Sequence, residues 1–327
     1  MSRQFGEHTP ALQVVEGIDL NGFEVIVTGG NSGIGVETVR ALAKAGARCI
    51  LCARDTAKAQ LVADDIIKST GNNKVEVEQL ELDSLDNVDK FVQRFIAKKR
   101  PLNILVNNAG VMACPKSYTK DGFETQFGTN HLGHFALTVG LLPALKEGAK
   151  TSNKKSRVVN LSSTAHAMSN VDFNDINFTK GREYEEFVSY GQSKTCNALF
   201  SLGLTRKFSH EGIFSNAVMP GVIMTNLQRH MNKDDWISKG WMDSDGNIKF
   251  PLKSIEAGAS STVWAATASE LEGKGGLYLE NCVISSEGSG VQEIFSKMFG
   301  YMPYIMDEKA ADKLWTISEE YLKNRSP

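Results

Sequence analysis

A run rich in β-branched residues, Phe23-Glu24-Val25-Ile26-Val27-Thr28, passes straight into the glycine cluster Gly29-Gly30-Asn31-Ser32-Gly33-Ile34-Gly35 and then into helical periodicity over residues 36–46. Strand, bare turn and helix in that order let a backbone approach a pyrophosphate. Glycine carries no side chain, and the helix N-terminus presents free amides and the positive end of its dipole. Gly29, Asn31, Ser32, Gly33, Ile34 and Gly35 are thereby candidate contacts to a dinucleotide. The spacing is T-G-x-x-x-G-x-G, not G-x-G-x-x-G, so the inference rests on the strand-turn-helix context.

The same alternation repeats along the chain. Residues 48–53 read as a second buried strand, followed by Arg54-Asp55. Where a carboxylate would meet an adenine ribose, Arg54 offers a guanidinium suited to a 2′-phosphate, which favours NADP(H) over NAD(H). Asp55 is either a ribose ligand or the N-cap of the next helix. A strand at 75–80 leads to Asp83, placed to contact an adenine, although Asp83 or Ser84 could equally cap the helix that follows. The strand at 102–106 runs into Asn107-Asn108-Ala109-Gly110, whose amides can cross-link a sheet and whose small residues leave room for a flat nicotinamide ribose. Met112 could line the same pocket or fill the core.

Helical periodicity spans 121–145, a strand at 157–161 ends in Ser162-Ser163, and a polar insert occupies 170–184. A sixth strand at 214–219 ends in Pro220-Gly221. This pattern, continued to residue 285, predicts an α/β fold: a single doubly wound parallel sheet with helices on both faces. Loops after the strands then gather along one edge, where ligands bind in such sheets.

Tyr190 and Lys194 lie four residues apart in a stretch that reads as helix over 185–208. At that spacing both side chains leave one face, so the ammonium can favour the ionised phenol. A free phenol has a pKa near ~10 and needs such help for acid-base work at neutral pH.

In this order, Thr28-Gly29-x-x-x-Gly33-x-Gly35, Asn107-Asn108-Ala109-Gly110, Ser163, Tyr190-x-x-x-Lys194 and Pro220-Gly221 resemble a short-chain dehydrogenase/reductase over residues 20–285. Stretches 129–135, 157–163, 276–279 and 313–318 are similar to the retinol dehydrogenases and to the oxidoreductase domain of WW-domain-containing oxidoreductase. Unlike in those relatives, no WW module and no membrane-spanning N-terminus is expected of this sequence.

The resemblance implies a Rossmann-type domain with a set of site roles. Tyr190 would exchange a proton with a carbonyl or alcohol oxygen, and Lys194 would lower the phenol pKa and bind the nicotinamide ribose. Ser163 would hold the substrate oxygen, with Ser162 poorly separated from it, and Asn130 would fix a water linking Lys194 to solvent. Arg54, Asp83, Asn108, Ala109, Gly110, Tyr190, Lys194, Pro220, Gly221 and Thr225 would join the glycine turn in holding the cofactor. A homo-oligomer, dimer or tetramer, would form through helices 121–145 and 185–208.

Residues 1–327 are read as one domain, with 1–20 an N-terminal arm, 222–256 a substrate lid and 286–327 a C-terminal extension. Met224, Met231, Trp236, Trp241 and Met242 in the lid suit a bulky apolar ligand, or serve simply to pack the lid down. The expected activity is NADP(H)-dependent interconversion of a hydrophobic alcohol and its aldehyde or ketone, the substrate being a retinoid, steroid or other lipid-like compound. A non-catalytic NADP-binding scaffold, and a lyase or epimerase that returns its cofactor unchanged, are the alternatives.

A net charge of −2 carries no basic excess for nucleic acid. No apolar run approaches the ~18 residues that span a bilayer, and the cytoplasm is the expected location. Cys49 and Cys52 would point to opposite faces of a strand, which suits buried thiols better than redox or metal chemistry. His131, His134 and His166 have no carboxylate or cysteine in register, so capping or core packing is expected of them and no metal.

Overall fold

The computed structural model describes residues 5–324. One sheet runs in the order β3-β2-β1-β4-β5-β6-β7-β8. Its strands are β1 (Glu24–Thr28), β2 (Arg48–Ala53), β3 (Val75–Gln79), β4 (Ile104–Asn107), β5 (Ser156–Leu161), β6 (Ile213–Met219), β7 (Tyr278–Glu280) and β8 (Val283–Ile284). All neighbours pair parallel except β7 and β8, whose hairpin closes the edge. Strand order reverses between β1 and β4, and the crevice at such a switch point is where doubly wound sheets bind ligands.

Both faces of the sheet are covered, which is why the central strands read as continuous apolar runs. Val25 and Val27 pack into one core and Ile26 into the other, following the two-residue period of a strand. The same alternation sends Cys49 to the first core and Cys52 to the second, both as free buried thiols. Helices α1 (Ile34–Lys44), α2 (Thr56–Thr70) and, late in the chain, the segment Ser260–Thr267 cover the first face. Helices α3 (Leu85–Ala97), α4 (Gly133–Gly140), α5 (Leu142–Thr151) and α6 (Glu186–Phe208) cover the second. Asp55 is the N-cap of α2, accepting from the Lys58 amide at 3.1 Å, and Ser84 caps α3.

The helix expected over 121–145 is broken into pieces. One turn, Thr125–Phe127, is capped by the Glu124 carboxylate and passes into a π-helical segment, Gly128–Leu132, before α4 begins. Within it the Asn130 carbonyl bonds the His134 ring at 2.9 Å, and Pro143 at the start of α5 has no N–H to continue the ladder.

The subunit interface expected on 121–145 and 185–208 is not free either. The C-terminal helix (Glu308–Lys323) lies on it, with the Trp315 ring 4.9 Å from Phe135 and 5.9 Å from Phe200, and Ser318 bonded to His131. Helix α6 is therefore buried around most of its circumference, and an oligomer would need another face.

Candidate active site

A cavity of about 400 Å³ opens along the C-terminal ends of β1, β2, β4, β5 and β6. Its polar limb is lined by Gly29, Asn31, Ser32, Gly33, Ile34, Arg54, Asp83, Asn108, Ala109, Gly110, Pro220, Gly221 and Thr225, and Met112 also faces it. Helix α1 begins there at Gly33 with no side-chain cap, which leaves its first amides for an anion.

Thr28 builds the opposite wall. Its Oγ1 accepts the amides of Asn108 and Ala109 at 2.9 and 3.0 Å, so its own proton goes to His134 Nε2 at 2.8 Å. His134 therefore carries its hydrogen on Nδ1 and donates it to the Asn130 carbonyl. Arg54 is exposed at the rim and makes no ion pair or hydrogen bond among the described residues. Asp83 Oδ1 and Asn108 Oδ1 are buried without a partner among the described residues.

Two predicted residues fall outside this wall. Gly35 does not face the cavity: a Cβ there would come 2.3 Å from the Gly29 carbonyl, so its bareness lets α1 pack on the turn. Asn130 stands behind Gly110. Its Oδ1 accepts from the Val111 amide, and its Nδ2 donates to the Val111 carbonyl and to Ser193 Oγ, so it braces the β4 loop against α6.

The two limbs meet at Tyr190, Lys194 and Ser163. Helix α6 reaches the turn after β5 because residue 191 is glycine; a Cβ there would stand 2.5 Å from the Ala165 carbonyl. Ser163 Oγ accepts from the Ala165 amide at 3.1 Å and turns its own proton to the Tyr190 phenol. Ser162 also lines the cavity, but its hydroxyl is spent on the Lys194 carbonyl at 2.9 Å.

Burial pushes the Tyr190 phenol above its ordinary pKa, and a hydrogen bond from Ser163 opposes the rise. The ammonium of Lys194 is the expected control on this phenol, yet burial dominates. Lys194 itself is pulled down to about 8 by burial while it donates to the Leu161 carbonyl at 3.0 Å.

Beyond Tyr190 the cavity turns apolar, with Phe187, Trp236, Trp241 and Phe250 on its wall. Phe295 and Met298 complete that wall from helix α7 (Val291–Lys297) and its C-cap. Sequence reasoning missed this pair, because no local pattern ties residues near 295 to a strand end far upstream.

The family model described as short chain dehydrogenase matches residues 24–236. The chain is 38% identical to short-chain dehydrogenase TIC 32 B, chloroplastic, of Brassica napus, over 96% of this chain and 93% of that one. It is 37% identical to retinol dehydrogenase 12 of Mus musculus, over 93% and 88%. Among solved structures, an uncharacterized protein of Mycobacterium paratuberculosis superposes with a TM-score of 0.69 at 32% identity, covering 95% of this chain and 97% of that one. Motif order, sheet topology and these similarities agree, and the chain belongs to the short-chain dehydrogenase family of oxidoreductases.

Proposed function

We propose that this oxidoreductase is NADP(H)-dependent and interconverts a hydrophobic alcohol and its aldehyde or ketone. The observation that carries this reading is the meeting of Tyr190, Ser163 and Lys194 where the polar and aromatic limbs of one cavity join. The polar limb fits NADP(H). An uncapped helix N-terminus suits a pyrophosphate, the unpartnered Arg54 a 2′-phosphate, and the orphaned Asp83 Oδ1 an adenine amino group. When bound, the nicotinamide supplies or takes up the hydride.

Tyr190 gives its proton to the substrate oxygen in reduction and recovers it in oxidation. Ser163, whose hydroxyl bonds the Tyr190 phenol, turns its proton to the same oxygen when substrate binds. Lys194, fixed by the Leu161 carbonyl, places positive charge beside the phenolate left behind, and its other N–H groups are available to ribose hydroxyls. Asn130 braces the β4 loop against α6.

Residues 222–256 serve as the lid, and the C-terminal extension serves as the far wall. Similarity to retinol dehydrogenase 12 supports a retinoid, steroid or other lipid-like substrate. A cytoplasmic location completes the reading and is checked by cell fractionation.

The test is NADPH oxidation against a panel of hydrophobic aldehydes and ketones, with Tyr190→Phe as control. The variant should lose about 10²–10⁴-fold in kcat while keeping its NADPH affinity. Turnover confined to small polar sugars, or undiminished in Tyr190→Phe, would overturn the assignment.

A further inference from the structure

One imidazole joins the turn that carries Ser163 to the chain segment that closes the far end of the cavity. His166 is fully buried, three residues beyond Ser163. Its Nε2 lies 3.1 Å from the Met302 amide. A backbone amide can only donate, so Nε2 is unprotonated and the ring hydrogen is on Nδ1. That hydrogen goes to the Ser163 carbonyl at 2.7 Å, which the His166 amide also bonds at 2.9 Å. Tyr304 Oη donates to the His166 carbonyl at 2.6 Å, a second bond from the same distal segment.

Residues 286–306 form a strap that packs Met298, Tyr301, Tyr304 and Ile305 against Ala198, Met219 and Tyr278. The Gly300 amide donates to the buried Glu280 carboxylate at 2.7 Å, and Glu287 pairs with Tyr301 inside the strap. Between these points the chain turns through Met298 at φ +47, in the left-handed region that residues with a side chain rarely adopt. The turn sets Met298 and Phe295 on the cavity wall. The strap thus spans from the substrate limb to the oxygen site, where the His166 ring and the Tyr304 hydroxyl tie it to the turn after Ser163.

We infer that His166 is a positioning residue that registers the strap, and with it the Phe295 and Met298 wall, against Ser163. This rests on the role given to Ser163 above. A long apolar substrate pressing on Phe295 and Met298 is thereby measured from the point where its oxygen is held. Discrimination by chain length belongs to the strap, and its precision to the imidazole.

The test uses the full chain with NADPH, hexanal and dodecanal as probes, and hydrogen exchange at the Gly300 and Met302 amides. In His166→Leu, kcat on hexanal should fall about fivefold with KM unchanged, because Ser163 shifts, while KM for dodecanal rises about tenfold. Exchange at the two amides should accelerate at least about tenfold, with NADPH affinity intact. In His166→Gln one carboxamide oxygen can accept and the NH₂ can donate, so parent behaviour should return within about threefold. Tyr304→Phe cuts a strap bond without touching the ring, and should loosen the strap and raise the dodecanal KM even if His166→Leu does not fold.

A parent-like dodecanal-to-hexanal ratio in the folded variants, or a glutamine variant as impaired as leucine, overturns the inference. Exchange is read without turnover. Inactivity of the parent toward both aldehydes therefore overturns the proposed activity, whereas unchanged exchange in both variants overturns the tether.

Discussion

Lys194 Nζ stands 5.4 Å from the centroid of the Tyr190 ring and donates to the Leu161 carbonyl, and burial is the single influence that moves its titration, down to about 8. The folded protein thus carries an ammonium without a carboxylate to offset its desolvation. In the unfolded chain a lysine keeps its proton to about 10.4. Between those values unfolding takes up a proton, so stability rises with pH across the window. Relative to Lys194→Met, the parent should gain about 2 kcal/mol between pH 7 and pH 9.5. Urea midpoints for both proteins at both pH values check this, and parallel curves would refute it.

His131 tests the opposite end of the scale. Its ring is fully buried against Phe127 and Phe200, bonds Ser318, and has its pKa pulled down to about 3 by desolvation. Unfolding lets this histidine protonate below about 6.5, so the stability that its neutral form contributes is lost as pH falls from there towards 3. His131→Gln does not titrate. At pH 7 the variant should be less stable by about 1 kcal/mol, and by pH 5 the order should reverse. Thermal midpoints at the two pH values decide it.

Arg54 has no partner to lose among the described residues, so its replacement reports on the cofactor. Arg54→Ala should weaken NADPH binding by about 10–100-fold, the worth of a charge-assisted hydrogen bond, and leave NADH binding nearly unchanged. Fluorescence titrations with both nucleotides supply the comparison. Equal losses for the two would remove the basis for NADP preference.

Trp241 lines the aromatic limb edge-on to Phe187, at 4.9 Å between ring centroids. Trp241→Ala should raise KM for a large hydrophobic carbonyl about tenfold, the loss expected from uncovering a buried aromatic surface, with kcat within about twofold. Steady-state kinetics on paired large and small aldehydes read this out. A fall in kcat with KM constant would instead place Trp241 at the reacting atoms.

The range of the forces involved decides which of these residues are legible in the sequence. The glycine turn, Asn108 to Gly110, Ser163 and Pro220-Gly221 were legible because each ends a strand, and parallel β-α units bring strand ends to one edge. Tyr190 and Lys194 were legible because four residues of helix place them on one face. Asp55 stayed ambiguous, since a carboxylate after a strand can cap or bind, and only the Lys58 amide at 3.1 Å decided for capping.

Sequence by itself therefore determined the sheet, the edge on which ligands meet it and most residues of that edge, because these follow from local periodicity and turn chemistry. Tertiary structure decided what periodicity does not encode, which is the identity of the neighbour that buries a given face. Trp315 covers the helices that looked free, Asn130 braces Val111 and Ser193, and Ser162 donates to the Lys194 carbonyl while Ser163 turns its proton to Tyr190. Phe295 and Met298 reach the cavity from a segment whose Met302 amide bonds His166 across 136 residues, a partnership set by packing and hydrogen-bond geometry across the fold and by nothing in the residues beside it.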